Sequence, residues 1–80
     1  MFSTKISLNS ISKIKEFVKI VDELPIEIDL VNGKYVVDAK SIMGIFSLDL
    51  IRPIRMNVYT EKEEEFKDLC EKINNFLIKE

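Results

Sequence analysis

The segment Ile26-Glu-Ile-Asp-Leu-Val-Asn-Gly-Lys-Tyr-Val-Val-Asp-Ala-Lys-Ser-Ile-Met-Gly-Ile-Phe-Ser-Leu-Asp-Leu50 changes its pattern twice. Ile26, Ile28 and Leu30 alternate with Glu27 and Asp29, the period of a strand with one wet face. Asn32-Gly33 follows, a pair suited to the positive φ angles of a type I′ turn. Lys34 to Asp38 then returns as the partner strand. From Ala39 the alternation is lost. Ile42, Met43, Ile45 and Phe46 gather behind Ser41, a favoured N-cap. The reading is a β-hairpin followed by a short capped helix. In that helix Ile45 and, just beyond it, Leu48 reach the core. Ile42, Met43 and Phe46 cannot all turn inward, so part of this apolar group is expected at the surface, where such patches mark partner sites.

Working outward, Phe2, Thr4, Ile6 and Leu8 alternate with Ser3, Lys5 and Ser7 and predict a first strand. Asn9 or Ser10 offers an N-cap. Ile11, Ile14, Phe17, Val18, Val21 and Leu24 then form the apolar stripe of a helix that Pro25 stops. Downstream of Pro53, Ile54, Met56 and Val58 predict a fourth strand. Thr60-Glu61-Lys62-Glu63 has the form of a capping box, with Thr60 as N-cap and Glu63 reaching back. Phe66, Leu69, Cys70, Ile73, Phe76 and Leu77 predict the inner face of a last helix. The order β-α-β-β-α-β-α suits an α+β open-faced sandwich, a four-stranded antiparallel sheet with its helices on one face. The 80 residues make one domain, 1–80.

Composition narrows the function classes. Twelve basic and fourteen acidic residues give a net charge of −2, which leaves no footprint for nucleic acid. No run approaches about 18 apolar residues, and no basic-apolar segment opens the chain, so no membrane association and a cytoplasmic location are expected. One cysteine excludes an internal disulfide, and Cys70 on an apolar stripe reads as an inert thiol. No constellation suits acid–base, nucleophilic or metal chemistry, so neither an enzyme nor a cofactor is expected. Arg52 and Arg55 flank Pro53 and form a possible anion pair. Tyr35 and Tyr59 are candidates for the open face of the sheet.

The element order and the run Lys40-Ser41-Ile42-Met43-Gly44 through Ser47-Leu48 resemble the histidine-containing phosphocarrier (HPr) family of the sugar phosphotransferase system. The likeness runs from about Phe17 to the C-terminus. It implies the HPr-like fold, a candidate phosphorylation site at Ser41, which matches the serine that a dedicated kinase phosphorylates in the family, and a docking surface that includes Ile42 and Met43, with Phe46 beside them. Implied partners are proteins: phosphotransferase components, a serine kinase or a transcription regulator.

The same comparison exposes a departure. The family carries its phosphoryl group on a histidine in the pattern Gly-x-His-x-Arg-Pro, and this chain has no histidine. Counting back from Phe17 places Ser10, Ser12 and Lys13 at the positions of the histidine, arginine and proline, in a loop that reads as shortened. Imidazole suits phosphoryl carriage because it is neutral and nucleophilic near pH 7. A phosphoserine is a stable ester and a poor donor. The expectation is therefore a non-enzymatic binding or regulatory module acting through Ser41 to Phe46. The alternative is a phosphocarrier using an atypical residue. An anion- or acylphosphate-handling enzyme and a self-associating structural protein are further readings.

Overall fold

A computed structural model describes residues 1–78. The elements are β1 (Phe2–Ile6), α1 (Ile11–Asp22), β2 (Glu27–Asn32), β3 (Tyr35–Asp38), α2 (Ile42–Phe46), β4 (Ile54–Tyr59) and α3 (Glu63–Lys72), followed by a 3-10 turn at Asn74–Phe76. The four strands form one antiparallel sheet in the order β1-β4-β2-β3. In register, Ile6 faces Ile54, Thr4 faces Met56 and Leu30 faces both Met56 and Val37. These residues point to the helical side. The buried set Ile6, Ile14, Phe17, Val21, Ile28, Leu30, Ile45, Ile54, Met56, Val58, Leu69 and Ile73 forms one core between sheet and helices. Ser3, Lys5, Glu27, Asp29, Arg55, Asn57 and Tyr59 occupy the other face, which no helix covers. The open-faced sandwich is thus the fold.

Aromatic side chains tie the two ends of the chain together. Phe17 meets Phe76 edge-to-face with centroids 5.8 Å apart, and Phe2 stacks on Phe66 at 5.0 Å. The backbone follows the same course. Ser7 N–H donates to the Phe76 carbonyl (2.8 Å), Leu77 bridges to Ile6, and Ile78 N–H donates to the Lys5 carbonyl (3.1 Å). The last described residues therefore cover the C-terminal end of the free edge of β1, which limits edge-to-edge association there.

Local chemistry departs from the sequence expectations at several points. Among the described residues Gly33 alone has positive φ (61°), and Asn32 pairs with Tyr35 inside the ladder. The central turn residues are Gly33-Lys34, with positive φ at the first only. This is the type II′ pattern and not type I′. Asn32 is explained by its side chain, which donates from Nδ2 to the Asp49 carbonyl at 2.8 Å.

Thr60 does not cap α3. The cap position is Lys62, without a side-chain bond. Thr60 Oγ1 accepts from Lys62 N–H and donates to the Glu65 carboxylate, while Thr60 N–H donates to the Val58 carbonyl, so no glutamate closes the box onto the backbone. β1 ends at Ile6, two residues earlier than the alternation suggested, yet Leu8 is fully buried beyond it. Ile11 does not join the α1 stripe and is 61% exposed. The final helix ends at Lys72, and Phe76 reaches the core from the 3-10 turn.

Candidate functional site

Ser10 adopts an extended backbone (φ −149°, ψ 156°), and its Oγ accepts from Lys13 N–H at 3.2 Å while its carbonyl accepts from Ile14 N–H. It is the N-cap of α1. Its hydroxyl is therefore already engaged in closing the first turn. Residues 7–10 alone connect β1 to α1. Ser7 is bonded to Phe76 and Leu8 is in the core, so the loop has little freedom to fold over an anion. Ser12 is exposed and Lys13 half-buried. The three positions lie together at one helix end, with no arginine on α1 or the loop before it.

At α2 the sequence and structure coincide closely. Ser41 is the N-cap (φ −103°, ψ 104°). Its Oγ accepts from Gly44 N–H at 3.1 Å and its carbonyl accepts from Ile45 N–H at 3.0 Å. Gly44 sits in a tight place. A Cβ there would lie 3.2 Å from both Ser41 Oγ and Val37 Cβ, so glycine lets the helix sit close on β3. Lys40 reaches across to donate from Nζ to the Leu24 carbonyl at 2.6 Å, just past the end of α1. Ser47, at the far end, donates from Oγ to the Gly44 carbonyl at 2.6 Å.

With both ends held, α2 has a fixed orientation. Ile45 is buried, Ile42 packs half-buried against the core, Phe46 is 41% exposed and Met43 is 80% exposed. Ser41 is half-buried at the edge of this group. Ser41→Ala should cost about 1 kcal/mol through the lost cap. Ser41→Asp should melt close to wild type, because aspartate also caps and its charge suits a helix N-terminus. A thermal melt of both variants checks this; collapse of the aspartate variant would show that the position tolerates no charge.

Other residues singled out in the sequence have simpler places. Cys70 is half-buried, and desolvation pushes its thiol above the ordinary value, which keeps it protonated and unreactive. Tyr59 lies on the open face beside Asp29, whose carboxylate raises the phenol's pKa. Tyr35 is exposed on the edge strand β3. Among the described residues no group of three metal-binding side chains is present, and no helix is long and apolar enough to cross a membrane.

This fold recurs in known structures. HPr-C-His from Thermoanaerobacter tengcongensis superposes with a TM-score of 0.74 at 24% identity, over 94% of this chain and 93% of that one. The phosphocarrier protein HPr from Bacillus anthracis str. Ames gives a TM-score of 0.68 at 25% identity, over 89% of this chain and 92% of that one. The chain has the HPr-like fold. No family model matches the sequence, and no curated protein matches it. The HPr-like architecture spans nearly the whole chain, which contains no histidine.

Proposed function

We propose that this HPr-like protein is a non-enzymatic binding or regulatory module that docks protein partners through the surface from Ser41 to Phe46, without phosphocarrier activity. The observation that supports this most is the exposed apolar group on α2. Met43 is 80% and Phe46 41% exposed beside the half-buried Ile42, on a helix hydrogen-bonded by serines at both ends. A preorganised apolar surface loses little entropy on binding. Methionine suits a surface that accommodates more than one partner. Phosphotransferase components, a serine kinase acting on Ser41 and a transcription regulator are the partner classes that follow from the family likeness, with a cytoplasmic location.

Loss of the carrier role rests on chemistry. The position matched to the carrier histidine is Ser10, whose hydroxyl is engaged as a cap. No imidazole is available to hold a phosphoryl group in a labile bond. Incubation with phosphoenolpyruvate and the general enzyme of the phosphotransferase system should leave the protein unlabelled. Acid-labile phosphate on the protein would overturn this half of the reading and establish the alternative, a phosphocarrier with an atypical residue.

A further inference from the structure

The open face of the sheet is divided by charge. Glu27, Asp29 and Asp38 lie toward one end, with Asp29 and Asp38 directly paired across β2 and β3. At the other end Lys5 on β1 and Arg55 on β4 are directly paired. Like charges opposed across an antiparallel ladder repel, and the cost persists unless a counter-charge lies nearby. Neither Lys5 nor Arg55 has a carboxylate within ion-pair distance among the described residues, where the two ion pairs are Arg52–Asp49 and Lys67–Glu63. Among the described residues, a protein of net charge −2 thus places two adjacent cations on its sheet with no ion-pair partner.

These two cations floor a cleft of about 520 Å³, completed by Val31, Asn32, Gly33, Arg52 and Pro53. Its far wall is a constructed one. Asn32 Nδ2 donates to the Asp49 carbonyl (2.8 Å), Asp49 Oδ1 accepts from Ile51 N–H (3.1 Å), and Asp49 Oδ2 lies 3.5 Å from Arg52 Nε. The hairpin turn and the loop before β4 are thereby joined, and Arg52 is brought to the same opening as Lys5 and Arg55. The Arg52–Asp49 pair is exposed, so it offsets little of the arginine's charge. Gly33 leaves open space at the rim.

We infer that this cleft is an anion site for a small organic phosphomonoester, separate from the α2 surface and independent of the docking role proposed for it. Two guanidinium groups and an ammonium converging on one opening match a phosphate dianion, since arginine offers paired donors to phosphate oxygens. The volume falls in the range of about 300–1,000 Å³ typical of small-molecule sites, larger than a bare phosphate needs. Val31 and Pro53 supply an apolar contact for the ester's body. An extended polyanion such as a nucleic-acid strand is disfavoured, because the acidic half of the same face would repel its continuation.

Amide-resolved titrations with inorganic phosphate, phenyl phosphate and benzyl alcohol test the site. Phenyl phosphate should give saturable shifts at Asn32, Gly33 and Arg55, with inorganic phosphate several-fold weaker and the neutral alcohol inert. Arg55→Gln and Lys5→Gln remove exposed charges and should fold as wild type, yet each should weaken phenyl phosphate by about tenfold through loss of a charge-assisted contact. Arg52→Gln, in the loop outside the sheet, gives a reading that does not depend on the strands. No saturable shift with any probe, shifts confined to Ser10–Lys13, or equal affinity in all three variants would each overturn the assignment.

Discussion

Phe17→Ala should leave much of the protein unfolded at physiological temperature. Phe17 is fully buried on α1 and meets Phe76 edge-to-face at 5.8 Å. Removing a buried phenyl ring costs about 3–5 kcal/mol in lost transfer energy and cavity formation. A chain of 80 residues has in total only about 4–12 kcal/mol, at 0.05–0.15 kcal/mol per residue. The damage would also be local before it is global. Phe76 carries the carbonyl that accepts from Ser7 N–H, beside the bridge of Leu77 to Ile6 and the bond from Ile78 to Lys5. With Phe76 unsupported, amide exchange at Ser7 and Ile78 should rise more than exchange in the central strands. Denaturant unfolding should show a large fall in midpoint. Phe46→Ala, at a ring 41% exposed, should move the midpoint far less. Similar losses for the two phenylalanines would mean that Phe17 is not a central member of the core.

Most of the architecture was legible because one-sided burial writes itself into period. Ile54, Met56 and Val58 are buried while Arg55 and Tyr59 are exposed, as strict alternation demands. The points that were misread share a cause: side chains with more than one way to satisfy the backbone. Asn32 was assigned to a positive-φ position, but a ladder residue can use its amide to hold a loop seventeen residues away. Thr60 and Glu63 have capping-box spacing, but the helix starts at Glu63 with Lys62 at the cap, and Thr60 bonds its hydroxyl to Glu65 instead. Ile11 fits the apolar period of α1, but it stands at the helix's first position and stays 61% exposed, while Ile14 one turn on is buried.

The site was legible to different degrees. Ser41 as a cap followed from local chemistry alone, because an N-cap bond closes within three residues. Gly44's role did not, since the crowding comes from Val37 on another element. The cleft was only half visible. Arg52 and Arg55 are near neighbours in sequence and read as an anion pair, whereas Lys5 joins them through the register of β1 against β4. Alternation placed Lys5 and Arg55 on outward faces, but only the pairing of strands fifty residues apart sets them opposite one another.

Met43→Asp should weaken a docked partner by about 30-fold, equivalent to about 2 kcal/mol, while leaving the melting temperature near that of wild type. The two effects separate because Met43 is 80% exposed and contributes little to the core. In a complex the same side chain would be desolvated, and a carboxylate there would be buried without a partner. Ile42 would be a poorer probe, since it packs against the core and its replacement would confound folding with binding. Phe46→Ala should give a smaller loss from the same surface. The control is Val36→Asp on the edge strand β3, where Val36 is 61% and Tyr35 66% exposed. That strand offers the other route to association, by addition of a strand to an open edge. Titration of the purified general enzyme and of each captured partner with the three variants distinguishes the routes. Loss of affinity in Met43→Asp with Val36→Asp unchanged assigns docking to α2. The reverse pattern would move the interface to β3, and the surface from Ser41 to Phe46 would then have no part in recognition.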